Sequence, residues 1–329
     1  MTPLDELVAG LFDYAGMFPP ASLPFEEALK ASAGLRRALR RPGMVAADFV
    51  CGLDRLGELT DEKLAGCGWS PSRPFKVCVL GPVLAGPGAP KPSELSAAVL
   101  RARAFGGEAP PPGGEGRRAV SYEAKCLVDF LGYPAVKGLE ALRAALGGSG
   151  LSLYLEPECT GADWPTAVEK VFRFFDRLPP AERPGLKLRC SGPAAIGPDD
   201  LARVIAGALD RGLRLKSSAG LHHPVAEERY GDRIGFLGLA LSVRLRRAFG
   251  AGFSMPAIAA CMTCPDPAKF TFVDGGAAWL NFRLDSDRLA GPAGFTIGNC
   301  SLHEPDDDLA RLYPELGWLS APPNKPLTD

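Results

Sequence analysis

The chain has 329 residues, enough for one large domain or two, and its 46% hydrophobic and 23% charged content is that of a globular chain rather than a disordered one. Its 37 basic and 38 acidic residues leave a formal net charge of −1, which argues against a broad nucleic-acid surface. There is no apolar run of about 18 residues to span a membrane and no basic flank in the opening MTPLDELVAG. Nine scattered cysteines fit reduced thiols better than a disulfide framework, so a cytoplasmic location is expected.

Taken in order, residues 7–18 end in a strand-like LFDYAG with Asp13 near its tip, and 25–39 read as a helix. A strand is expected at 44–53, a short helix after Thr60, a strand at 75–81 and a helix at 93–104. The Gly/Pro-rich stretch 106–118 reads as an exposed loop. The next strand, 119–128, sets Glu123 and Lys125 on one face, and Leu139, Leu142 and Leu146 mark a helix. Residues 151–156 form a strand with Tyr154 and Glu156 on one face. Val168, Val171, Phe172, Phe175 and Leu178 then trace the cleanest amphipathic helix in the chain.

Two stretches follow around which the rest is organised, GLKLRCSG at 185–192 and LRLKSSAGLHHP at 213–224. Alternation puts Lys187 and Arg189 on one face of the first strand and Arg214 and Lys216 on one face of the second. A helical pattern lies between them, opening at Pro198 and closing at Gly212. Strand, helix, strand implies parallel strands whose polar ends share one edge. An apolar helix at 233–249, a strand at 294–301 and a helix at 306–313 complete the pattern, while 251–294 fits no strand–helix unit.

Eight strand–helix units in alternation predict an α/β fold, a single (β/α)₈ TIM-barrel domain over 1–329. Residues 251–294 would be an insertion between the seventh helix and the eighth strand, and 321–329 a C-terminal tail. An open doubly wound sheet is the alternative.

Several strand ends resemble class I aldolases of the deoxyribose-phosphate aldolase type. FDYAGMFPPASLPFEE at 12–27 is similar to that family's first strand, and VCVLGP at 77–82 to its third. KSSAG at 216–220 is close to its Lys-Ala-Ser-Gly-Gly on strand seven, and IGNCS at 297–301 to its Ile-Gly-Thr-Ser-Ser on strand eight, which cradles a phosphate. The resemblance implies that Lys187 forms a Schiff base with a small, phosphorylated or unphosphorylated carbonyl substrate, without metal or cofactor, and that Lys216 lowers its pKa. Two departures accompany it. Lys187 stands five residues before Gly192, where the family has four, and Lys125 occupies a position where the family has an acid.

Physical chemistry supplies a parallel reading. Lysine at its reference pKa is ammonium at pH 7 and must be depressed by neighbouring cations and desolvation to attack a carbonyl. Lys125, Lys187, Arg189 and Lys216 are the candidate cations; Asp13, Glu123 and Glu156 are the candidate proton carriers. Ser218, Gly220, Gly298, Asn299 and Ser301 would contact substrate, with His222, His223 and His303 beside the same edge. Interior salt bridges would use the same charges without any chemistry. Two further readings follow: a metal-assisted lyase, isomerase or hydrolase built on Glu156, His222 or His223, and His303, and a non-catalytic ligand-binding barrel. The pair Cys261 and Cys264 has no second CxxC and reads as packed thiols. A homo-oligomer is compatible with all three.

Overall fold

The computed structural model describes residues 1–69, 74–105, 116–159, 163–192, 195–227, 233–273, 275–289 and 294–316. The expected tail at 321–329 and most of the Gly/Pro-rich loop lie outside these residues. The barrel strands are β1 (Phe12–Tyr14), β2 (Val45–Ala47), β3 (Phe49–Gly52), β4 (Phe75–Leu80), β5 (Arg117–Leu127), β6 (Ser152–Glu158), β7 (Gly185–Arg189) and β8 (Leu215–Ser218). A small separate sheet contributes β9 (Phe270–Val273), β10 (Gly276–Trp279) and β11 (Phe282–Asp285), and β12 (Phe295–Asn299) returns to the barrel.

The main sheet has nine strands in the order β2-β1-β12-β8-β7-β6-β5-β4-β3, and every pairing in it is parallel. Its two ends, β2 and β3, are joined by one residue, Asp48, so the sheet curls into a nearly closed barrel. The 44–53 segment is therefore two strands where the sequence pattern suggests one. Buried Asp48 stitches the break: its amide donates to the Lys76 carbonyl (2.9 Å), and Oδ2 accepts the Lys76 amide (3.0 Å). Arg36 Nε donates to its other carboxylate oxygen at 3.0 Å. A buried break is tolerable only because these polar groups are satisfied.

Helices cover the outside because each carries one apolar face. Helix Trp164–Asp176 turns Val168, Val171, Phe172 and Phe175 inward and is opened by the Asp163 side chain, which accepts the Thr166 amide at 3.1 Å. Helix Pro198–Asp210 buries Leu201, Val204, Ile205 and Ala208. The chain then turns into β8 through Gly212 at φ +68°, a left-handed conformation suited to glycine. The first strand is shorter than the pattern at 7–18 suggests, because helix Pro3–Val8 precedes it, capped reciprocally by Thr2 and Asp5. Between helix Phe236–Phe249 and β12 lie helix Met255–Met262 and the antiparallel β9–β10–β11 sheet. Among the described residues no helix is long and apolar enough to cross a membrane.

Candidate active site

Alternation along five strands sends one charged side chain from each toward the barrel axis: Asp13 from β1, Glu123 from β5, Glu156 from β6, Lys187 from β7 and Lys216 from β8. In the β7–β8 register Lys187 stands opposite Lys216. Glu123 joins them: Lys187 Nζ lies 2.8 Å from one of its oxygens, and Lys216 Nζ is paired to the other. Lys187 also pairs with Glu156 at 2.8 Å, and Lys216 with Asp13 at 2.8 Å. The result is a linear chain, Asp13–Lys216–Glu123–Lys187–Glu156, with no member's side chain more than 9% exposed.

Smaller contacts fix the chain's inner end. Lys216 Nζ lies 3.3 Å from Cys78 Sγ and 3.5 Å from Ser121 Oγ, and Ser121 in turn donates to Glu123 at 3.2 Å. The ammonium sits 5.5 Å from the centre of the Tyr154 ring, within cation–π range. Tyr154 has room because residue 185 is glycine; a Cβ there would meet the ring at 2.5 Å.

Burial, the largest influence on Lys187, favours the neutral amine, but the carboxylates of Glu123 and Glu156 outweigh it and raise its pKa. Lys216 is likewise opposed by burial, yet Asp13 and Glu123 hold its pKa well above the ordinary lysine value. Burial alone would raise Glu123; Lys187 and Lys216 overcome that and bring it down to about 2. This corrects one expectation. The pKa of Lys187, expected to be depressed, is raised, because the Glu123 and Glu156 carboxylates outweigh burial.

The cluster opens upward into a cavity of about 490 Å³ at the C-terminal ends of the strands, the end where barrel enzymes carry their sites. Glu123, Glu156, Lys187 and Lys216 form its floor, and Phe18, Pro19, Pro20, Val50 and Leu80 an apolar wall. Lys125 and Arg189 stand higher on the polar side. Lys125 is 2.6 Å from Glu158, with its side chain 43% exposed. Arg189, half-buried, has no ion-pair partner among the described residues. Ser218, His222, Gly298 and Cys300 complete the rim, together with Ala219, whose φ of +65° is left-handed for a residue with a side chain.

The remaining candidates are placed elsewhere. Asp13 lies beneath the cavity, behind Lys216, and Gly220 is outside the lining. Asn299 is a structural brace: its amide donates to the Leu221 carbonyl at 2.8 Å, and its side-chain oxygen accepts the Ser301 amide at 3.1 Å. Ser301 does not reach the cavity. His303 is exposed at the start of helix His303–Leu312, which begins three residues earlier than its apolar pattern suggests. His222 faces the rim, 3.2 Å from Glu304 and 3.9 Å from Cys300 Sγ, whereas His223 turns away to meet Asp308 at 2.7 Å. The set Glu156, His222 or His223, and His303 is therefore not brought together as a metal-binding group. Sequence reasoning passed over Glu158, Cys78 and Ser121; Glu158 could have been found, since it follows Glu156 by two residues on the same face of β6.

Compared with protein-family models the chain matches none, and no curated protein matches it.

Proposed function

We propose that the protein is an enzyme of the class I aldolase kind, a (β/α)₈ barrel whose second strand is bent at Asp48 into β2 and β3. Its substrate is a small carbonyl compound bearing an anionic group. The observation that carries this reading is the pair of lysines sharing one carboxylate at the floor of an open cavity at the C-terminal ends of the parallel strands. Lys187 is the nucleophile. Arg189 is the cation left to meet the substrate's carboxylate or phosphate.

The free amine is the difficulty such a site must solve. At a reference pKa near 10.4, deprotonating lysine at pH 7 costs roughly 4–5 kcal/mol, and the carboxylates around Lys187 add to that. The proton must therefore leave by direct transfer as the carbonyl arrives. Glu123, with its pKa held at about 2, is a poor acceptor. Glu156, which contacts Lys187 at 2.8 Å and lines the cavity, is the carboxylate placed to take the proton. Lys187 gives one proton to Glu156 as Nζ adds to the carbonyl carbon, and Glu156 passes it to the carbonyl oxygen to make the hydroxyl. Glu156 then carries a second proton from Nζ to that hydroxyl, water leaves, and an iminium remains. Lys216, held as ammonium, keeps Glu123 ionised beside the new cation. In cleavage, Glu156 takes the proton of the substrate's β-hydroxyl and the bond between the α and β carbons breaks. The electrons of that bond turn the iminium into an enamine, and the β carbon leaves as an aldehyde. Return of that proton to the enamine carbon and hydrolysis by water then free Lys187.

The same ion pairing favours a second reading, a non-catalytic barrel that binds an anionic ligand through Arg189. One experiment separates the two. The protein is incubated with borohydride and a panel of aldehydes and ketones, with and without carboxylate or phosphate groups, and digested for mass spectrometry. The enzymatic reading expects a reduced adduct on Lys187, absent in Lys187→Met and weakened in Arg189→Ala. Saturable anion binding with no lysine adduct from any panel member would leave only the binding barrel.

A further inference from the structure

Outside the barrel mouth, a second group of titratable side chains converges where the segment after β8 meets helix His303–Leu312. His223, Glu227 and Asp308 each offer a ligand atom, and these atoms lie within 4.8 Å of one another. None of the three belongs to the cavity lining. We propose that they form a binding site for a divalent transition-metal ion, with zinc the best fit, which fastens the segment after β8 to this helix behind the rim of the cavity.

The donor set points to the ion. One imidazole nitrogen and two carboxylate oxygens are a borderline combination: imidazole selects for zinc and its neighbours, while carboxylates alone would suit magnesium or calcium. Three protein ligands leave a fourth tetrahedral position for water. Ligand atoms about 2.0–2.2 Å from zinc stand roughly 3.4 Å apart, so half-buried side chains need move only by rotamer adjustment to close around it. Arg311 lies 2.7 Å from the Asp308 Oδ1 atom. That contact engages one carboxylate oxygen and leaves Oδ2, the atom facing His223, as the metal ligand.

The placement gives the ion a structural purpose. His222 and His223 are adjacent, and their partners Glu304 and Asp308 are one turn apart on the same helix. His222 looks into the cavity, so an ion holding His223 from behind would also set the position of the rim. The site stands on different residues from the lysine chemistry and survives if that reading fails.

The test uses the full chain, stripped with chelator and titrated separately with zinc, manganese and magnesium by calorimetry and by thermal unfolding. One saturable zinc ion per chain is expected, manganese weaker and magnesium undetected, with the melting temperature rising as zinc binds. His223→Ala and Asp308→Asn should each weaken zinc by more than the roughly 10–100-fold that losing a mere supporting partner costs. Cys264→Ser should leave it unchanged. If His223→Ala does not fold by circular dichroism, Glu227→Gln takes its place. Absence of saturable zinc binding to the wild type, or equal affinity in the folded ligand variants, overturns the proposal.

Discussion

Lys187 and Lys125 both line one cavity and each stand within 2.8 Å of a glutamate, yet they do different things. Lys125 and Glu158 meet at the rim with 43% and 29% of their side chains exposed; water and ions screen them, and such a pair is worth about 0–1 kcal/mol. Lys187 meets Glu123 and Glu156 on the floor, where no side chain is more than 9% exposed. There the ions have been stripped of water, and each depends on its neighbour to stay charged. A short ion pair is therefore incidental at the rim and obligatory on the floor. With Asp13 beneath it, the floor belongs to one connected chain of buried ion pairs, three carboxylates alternating with two lysines.

The largest effect expected from breaking this contrast is at Glu123, the residue both lysines share. Glu123→Gln keeps the shape and leaves two buried ammonium groups facing each other, so urea unfolding should show a loss of at least the roughly 3–5 kcal/mol typical of a broken buried pair. Retained stability would mean the cluster is wetter than its burial implies.

Next in size is the acid limb of stability. The folded-state pKa of Glu123, about 2, lies below its ordinary value of 4.5. Its contribution, on the order of 3 kcal/mol, is present above about pH 4.5 and drains away as pH falls toward 2. The lysines work in the opposite sense: their raised values give stability that is full below the ordinary lysine pKa of 10.5 and is lost as pH rises beyond it. Stability curves against pH should show both limbs in the wild type and neither at full size in Glu123→Gln. A curve for the variant parallel to that of the wild type would contradict the assignment.

The smallest effect belongs to the rim. Lys125→Ala should change unfolding free energy by no more than about 1 kcal/mol, and added salt should erase the difference. A loss comparable to that at Glu123 would show that the rim pair, too, is shielded from water.

How much of this could be read from the chain alone follows from what governs each feature. Strand alternation is a local property, so Lys187 with Arg189, Lys216 with Arg214, Glu123 with Lys125 and Glu156 with Tyr154 could each be put on one strand face from spacing alone. Which carboxylate pairs with which lysine depends on how β5 is set against β7 and β8, strands far apart in the chain (Lys216 and Ser121, in contact, are 95 positions apart), and no local pattern encodes that. The direction of the lysine pKa shifts went with it, since it turns on the carboxylates that meet each ammonium group. The break at Asp48 was hidden for a similar reason: an aspartate in a strand-like run looks like any polar position until Lys76 and Arg36 arrive to satisfy it. Adjacent histidines could be assigned to opposite faces, but which of them met the cavity depended on a helix more than 80 residues later.

The central claim is that two ammonium groups share the Glu123 carboxylate. Its most direct test is a pH titration of the side-chain carboxyl carbons by NMR in protein carrying ¹³C-labelled glutamate, with the Glu123 signal assigned by its loss in Glu123→Gln. The account predicts a midpoint near 2 for the wild type, moving upward when Lys187 or Lys216 is replaced by methionine. A midpoint at or above the ordinary 4.5, indifferent to either lysine, would contradict it.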